Sequence, residues 1–502
     1  MKKIIITAAI ALFSLVANAQ KNTLLDQSFW RNQPDIATVK AEVEKGNSPS
    51  QANQMNMDPV VLAILNQAPS ETIKYLVGLE GNSVTKVGHE GRTYLHWVSM
   101  RGDADLIDFL VAKGADIKLK EEHGLSPLML VASSGQLKPT LVDYFVSKGV
   151  DNKKEVTADG ANILLLAISN DKDLSLTTYL QSKGLDINSV DNNGNNAFCY
   201  VAKSGNIAPL KLLVEKGIKP SENAFFMAAQ GNRRGPAAPL EFYEYLESLN
   251  LKPTGTTKEG ENVLHFIVRK PNQKAIIEHF VAKGVNVNQA DNDGNTPFIN
   301  AASSNRDVAT IELLASKAQN INQANAKGET ALMLAVKGNS PEIVQLLISK
   351  GADVNAINKA GENLSAYLIQ SYSGGGEGRM GMGGGKPEDF DNKIKALQEK
   401  GFNVATPQKN GNTLYHLAIM KNDLGLLKRL EPLKLDINAK NQEGITILHK
   451  AAMLAKDDTI LKYLLETGAK KEIVTNFGET AFDLASENET LTKRKVSINF
   501  LK

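Results

Sequence analysis

Gly328-Glu-Thr330-Ala-Leu332-Met-Leu-Ala-Val-Lys-Gly-Asn-Ser-Pro-Glu-Ile343-Val-Gln-Leu346-Leu347-Ile-Ser-Lys-Gly351-Ala-Asp353-Val-Asn355 is the stretch from which the rest of the chain is read. It begins with a glycine turn and a threonine placed to cap a helix N-terminus. Two short amphipathic segments follow. In the second, Ile343, Leu346 and Leu347 recur at i, i+3 and i+4, which puts them on one helix face. Gly351 stands where that helix must stop, because glycine takes the left-handed conformation that ends a helix. Ala352-Asp353-Val354-Asn355 is a short extended piece leading to polar turn residues before the next glycine.

The same unit recurs along the chain. Glycine starts stand at Gly91, Gly124, Gly160, Gly194, Gly260, Gly294, Gly328, Gly361, Gly411, Gly444 and Gly478, mostly 33 or 34 residues apart. The step from Gly194 to Gly260 holds two units, and that from Gly361 to Gly411 holds one unit and an insertion. Apolar faces repeat at Ile107, Leu110 and Val111 and at Leu461, Leu464 and Leu465, with closing glycines such as Gly114, Gly284 and Gly468. Two weaker units are expected around Leu25 to Gly46 and Pro59 to Gly81, making about 14 units in all. One helix pair cannot bury its apolar face alone, whereas stacked pairs bury it jointly.

These residues resemble the ankyrin repeat. Gly328 to Asn355 follows its G-x-T-P-L-H…V-x-x-L-L…G-A-D-V-N pattern, and Gly294-Asn-Thr296-Pro297-Phe298 and Gly444-Ile-Thr446-Ile-Leu448-His449 follow its start. The resemblance implies an all-α ankyrin-repeat solenoid of about 14 helix-turn-helix units with short β-hairpin fingers. With neighbouring helices about 8–10 Å apart, it implies a curved body on the order of 100 Å long. The expected organisation is 1–19 as a leader, 20–90 as degenerate or capping units, 91–485 as the array, and 486–502 as a C-terminal capping helix. Two departures stand out. The finger between Gly217 and Ser221 is nearly deleted, followed by an insertion around Arg233-Arg234-Gly235-Pro236. A Gly/Met-rich insertion covers 371–387. It is too rich in glycine to form a core and is expected to be a mobile loop.

Lys2 and Lys3, the apolar run Ile4 to Val16 and Ala17-Asn18-Ala19 read as a secretory signal peptide cleaved before Gln20. The run is too short to span a bilayer, which takes about 20 residues. The net charge of +2 over the 502 residues comes down to those two lysines. A neutral mature chain lacks the basic footprint of nucleic-acid binding. Cys199 is the only cysteine, so no internal disulfide forms.

Catalytic and metal readings find little purchase. His96, His265, His416 and His449 share one repeat position, so they lie a repeat or more apart and do not gather round one ion. The resemblance gives that histidine a turn-bracing role. Cys199, at the same position, reads as a small buried side chain. Gly376-Glu-Gly378-Arg-Met-Gly381 has the spacing of a dinucleotide motif without the strand and helix that make one. Gly385-Lys386 is followed by Pro387, which excludes a P-loop. Met380 and Met382 are soft ligands for Cu(I) without a nearby His or Cys. Asp291-Asn-Asp293-Gly294 starts like a calcium loop but has Ala302 where the final Glu belongs. Lys493-Arg494-Lys495 reads as the solvated face of the capping helix.

The expected function is an exported, non-catalytic protein–protein interaction scaffold, periplasmic or secreted, binding its partner through the concave face. By repeat position, the candidate contacts are His123, Asn193, Asn292, Lys327 and Gln442 on the fingers. Met100, Arg101, Lys203, Lys337 and Lys421 stand near the ends of first helices. No cofactor, catalytic residue, metal site, nucleic acid or membrane insertion after leader cleavage is expected, and the chain is expected to be a monomer. Two alternatives stand beside this. Some exported bacterial ankyrin proteins are associated with catalase and peroxide protection, and the 371–387 loop offers a ligand or metal clasp.

Overall fold

The local rules seen in 328–355 build the fold, as a computed structural model describing residues 22–231, 237–372 and 387–502 shows. Thr330 is extended, and its Oγ1 accepts the Met333 amide, starting the helix Ala331–Gly338. Ser340 caps the helix Pro341–Ser349 in the same way, with Pro341 at the first helical position, where a missing N–H costs nothing. Gly351, at φ +95°, ends it, while the Ala352 amide returns to the Leu347 carbonyl. Leu332, Val336, Ile343 and Leu347 are fully buried, and Leu346 is half-buried at the margin of that face.

Among the described residues there are twenty-eight α-helices, from Gln27–Arg31 to Glu489–Lys493, and taken two by two they make fourteen pairs. Within each stretch on either side of 197–219, first helices pack on first helices and second on second in stacked order. The helices fall into two compact units. One runs up to Val201 and includes Ala208–Lys219; the other is Ala202–Ile207 with Pro220–Lys502. The stretch 373–386, which holds most of the Gly/Met-rich insertion with Gly376, Met380, Met382 and Gly385, lies outside the described residues, as does 232–236.

The fingers differ from the expected β-hairpins. Among the described residues they form no strands, and pairing is limited to two isolated bridges, Val156 with Asn162 and Ala324 with Thr330. Most fingers close through a side chain instead. Asn358 Oδ1 accepts the Glu362 amide, while the Asn358 amide and the Glu362 carbonyl make the one backbone bond across the base. The tip amides are turned towards the neighbouring finger. The Lys359 amide donates to the Lys327 carbonyl, as Asn292 does to Glu259, Ala326 to Asp293 and Asn476 to Glu443. Gly328 serves this contact, since a Cβ there would sit 2.7 Å from the Lys359 amide nitrogen at a φ of +80°.

Two further ladders tie repeat to repeat. At the inner helix ends, Asn305 Nδ2 donates to the Val268 and Lys270 carbonyls, and Asn339 Nδ2 to those of Ala302 and Asn305. Asn488 does the same for Ala452, Met453 and Ala455. Beside the 371–387 insertion, the next free carbonyl, Val336, is met by the Lys393 ammonium from a second helix. Burial pushes that ammonium down to about 8. On the outer layer, a cation at or near the end of one second helix pairs with an acid on the preceding one. Examples are Lys148 with Asp108, Lys183 with Asp143, Lys283 with Glu247 and Lys350 with Glu312.

Candidate interaction faces of the repeats

The four histidines are consumed by helix capping. The amides of Thr413 and Asn262 donate to Nδ1 of His416 and His265, which therefore carry their proton on Nε2. Nε2 then donates to the Ile445 and Asn295 carbonyls of the next repeat. His96 and His449 accept the Thr93 and Thr446 amides in the same way. Burial holds all four rings below the ordinary imidazole range. Cys199 is fully buried. Asp291 Oδ1 accepts the Asp293 and Asn295 amides, closing a finger turn. No group of three or more His, Cys, Asp or Glu is gathered as a metal site among the described residues.

The expected contact residues separate into two kinds. His123, Asn193 and Lys327 are exposed at the third position of their finger tips. Asn292 and Gln442 sit one position earlier, where side chains reach back: Asn292 Nδ2 donates to the Lys258 carbonyl and Gln442 Nε2 to that of Lys409. Among the helix ends, Lys337 and Lys421 are exposed, and Met100 and Lys203 are half-exposed. Arg101 is tied to the preceding repeat, its Nη1 donating to the Ala68 carbonyl at 2.7 Å and its Nη2 lying 3.5 Å from Asp103.

Register also points to surface residues that the sequence reading passed over. Phe477 shares the tip position of His123, Asn193 and Lys327 and is 84% exposed. Met420 and Met453 stand seven residues after their N-caps Thr413 and Thr446, as Lys337 does after Thr330; Met420 is 56% exposed. The signal was available, since apolar residues at an otherwise polar repeat position mark a surface rather than a core.

Tip ladder, capping histidines and paired helices are the framework of one family. The family described as Ankyrin repeats (3 copies) matches residues 60–156, 128–224, 248–358 and 415–496, more than half of the chain. The chain belongs to the ankyrin-repeat family. Its members are typically non-catalytic binding scaffolds, and ankyrin repeats imply protein partners. Among individual proteins, this ankyrin-repeat chain is 36% identical to mouse Protein phosphatase 1 regulatory subunit 12A over 80 residues, 16% of this chain and 8% of that protein. The rat protein of the same name matches equally. Mouse RelA-associated inhibitor is 29% identical over 102 residues, 20% of this chain and 12% of that protein. The chain thus spans a small part of these relatives, within a shared repeat framework. Among the described residues, no helix is long and apolar enough to cross a membrane.

Proposed function

We propose that this protein is an exported, non-catalytic scaffold that holds a protein partner against the inner helix ends and finger tips of its repeats. The observation that carries the reading is a division of labour. The framework positions are occupied by internal bonds, whereas Lys337, Met420, Lys421, Met453 and Phe477 are exposed at positions set by the same register. The names of the similar proteins, a phosphatase regulatory subunit and a RelA-associated inhibitor, fit a role exercised on other proteins. Export rests on the leader-like pattern from Lys2 to Ala19.

A photo-crosslinking residue placed at Lys337, with Lys317 on the outer helix layer as control, tests the scaffold. A specific protein adduct from position 337 and none from 317 supports it. Equal adducts from both, or none from either in extracts of the native envelope, would sink it. For export, N-terminal sequencing of the secreted or envelope fraction should begin at Gln20; a chain retained in the cytoplasm with Met1 intact overturns that part.

A further inference from the structure

The charges of the second unit are sorted by helix layer. Six of its first helices with the residues leaving them, 263–270, 297–306, 331–339, 364–372, 414–422 and 447–456, contain no aspartate or glutamate, whereas the last first helix, Ala481–Glu487, carries Asp483 and Glu487 and lies outside the row. Of their cations, Arg269 is paired with Glu261 and Lys270 is partly buried. Arg306, Lys337, Lys421 and Lys456 are exposed, and their side chains make no ion pair or hydrogen bond among the described residues. The outer layer is the reverse. There, Lys283 meets Glu247, Lys350 meets Glu312 and Arg429 meets Asp391. The acids closest in sequence to the inner row are engaged at the starts of the second helices: Asp307 accepts the Ala309 amide and the Thr310 hydroxyl, Asp423 the Leu426 amide and Asp457 the Thr459 amide, while Asp458 pairs with Lys462.

Apolar side chains share the row. Met420 and Met453 occupy the register position of Lys337, and Leu454 that of Lys421, all well exposed. Methionine adapts its shape to an apolar visitor better than branched side chains do. Cations without internal partners, beside exposed methionines, define a complementary ligand.

We propose that the inner helix ends of the second unit bind an extended acidic segment of a protein partner. Its carboxylates meet Arg306, Lys337, Lys421 and Lys456, and its aliphatic side chains seat on Met420, Met453 and Leu454. The proposal rests on the scaffold reading and names its partner's chemistry. Stacked helices lie about 8–10 Å apart, and an extended chain advances about 3.3 Å per residue, so acids about every third residue match cations on successive repeats, with the repeat of Leu364–Ser371, which has no cation in 364–372, passed over. A nucleic acid fits less well. It places a phosphate about every 3.4 Å along a strand, far denser than this row, and the row's own exposed apolar groups, Met420, Met453 and Leu454, are aliphatic or thioether rather than aromatic platforms for bases.

The test uses the full chain and a fluorescein-labelled peptide of six Glu-Leu-Ser triplets. Peptides of Gln-Leu-Ser and Lys-Leu-Ser triplets and an oligo-dT strand serve as comparators. The acidic peptide should bind best and weaken as salt rises. The variant Lys337→Glu/Lys421→Glu/Lys456→Glu should lose about tenfold or more in affinity. The outer-layer variant Lys274→Glu/Lys317→Glu/Lys428→Glu should bind as the parent does. Circular dichroism checks that both variants fold, and the glutamine version of the inner triple provides a second reading. Equal binding of the neutral peptide, equal loss in the outer variant, or tighter binding of the oligonucleotide overturns the proposal. A partner crosslinked through position 337 and still held by the inner triple variant would overturn it while leaving the scaffold standing.

Discussion

Protonation is the most direct way to disturb the capping histidines. Each accepts its N-cap amide at Nδ1, and a proton there abolishes the acceptor. Burial lowers their folded pKa below the unfolded value near 6.5. Below that value the unfolded chain binds protons that the folded one resists. The stabilisation is therefore complete above about 6.5 and is lost as pH falls towards the folded pKa. The denaturation midpoint should drop between pH 7 and pH 5. His416→Gln should be about 1 kcal/mol less stable at pH 7, yet show a smaller acid-induced drop. An acid response identical to the parent's would show that the ring is not the titrating group. Thr330→Ala, which removes the acceptor for the Met333 amide, should cost about 1 kcal/mol in urea denaturation. Register alone placed the histidine rings a repeat apart and so ruled out a shared ion, while their bracing role was legible through the family resemblance. The difference between Asn193 and Asn292 was not. One position along the tip decides whether an amide can reach the neighbouring finger's carbonyl, and that depends on stacking rather than on the residue.

At the scale of the helix pair and its finger, the asparagine ladder holds neighbours together. Asn339 is buried and donates to two carbonyls, so Asn339→Ala leaves both without a donor. About 2–3 kcal/mol of stability should be lost, and amide exchange should rise first in 297–338. Exchange rising uniformly along the chain would argue against a local role. The helix pairs could be read directly, because caps, apolar periodicity and closing glycines are local signals. The fingers were expected to be hairpins and proved to be side-chain-closed turns. Extended residues such as Val354 look the same in sequence whether their amides bond within the finger or to the next one. Lys393 was equally hidden: its bond to the Val336 carbonyl joins residues 57 apart.

For the molecule as a whole, the two charge systems should respond differently to salt. The outer ion pairs sit in water, where screening and side-chain entropy leave them little net effect. The urea midpoint should change little between low and moderate ionic strength, while binding of the acidic peptide falls steeply. A midpoint that moved in parallel with binding would mean that the outer pairs matter more to stability than their exposure suggests.

The inter-repeat bonds at the tips and inner helix ends share a property with historical consequences: their acceptors are main-chain carbonyls, which every residue type supplies. A donor therefore finds its counterpart whatever sequence precedes it. Excising 294–327 would join Asp293 to Gly328 in register and offer Asn339 the carbonyls of Val268 and Lys270 that now serve Asn305. Such a shortened chain should fold with unchanged helicity per residue, whereas excising half that length should not. Genes encoding such chains can lengthen by tandem duplication, or shorten by loss, in whole repeats without remaking the joints. The units that survive are then free to diverge where their side chains face outward.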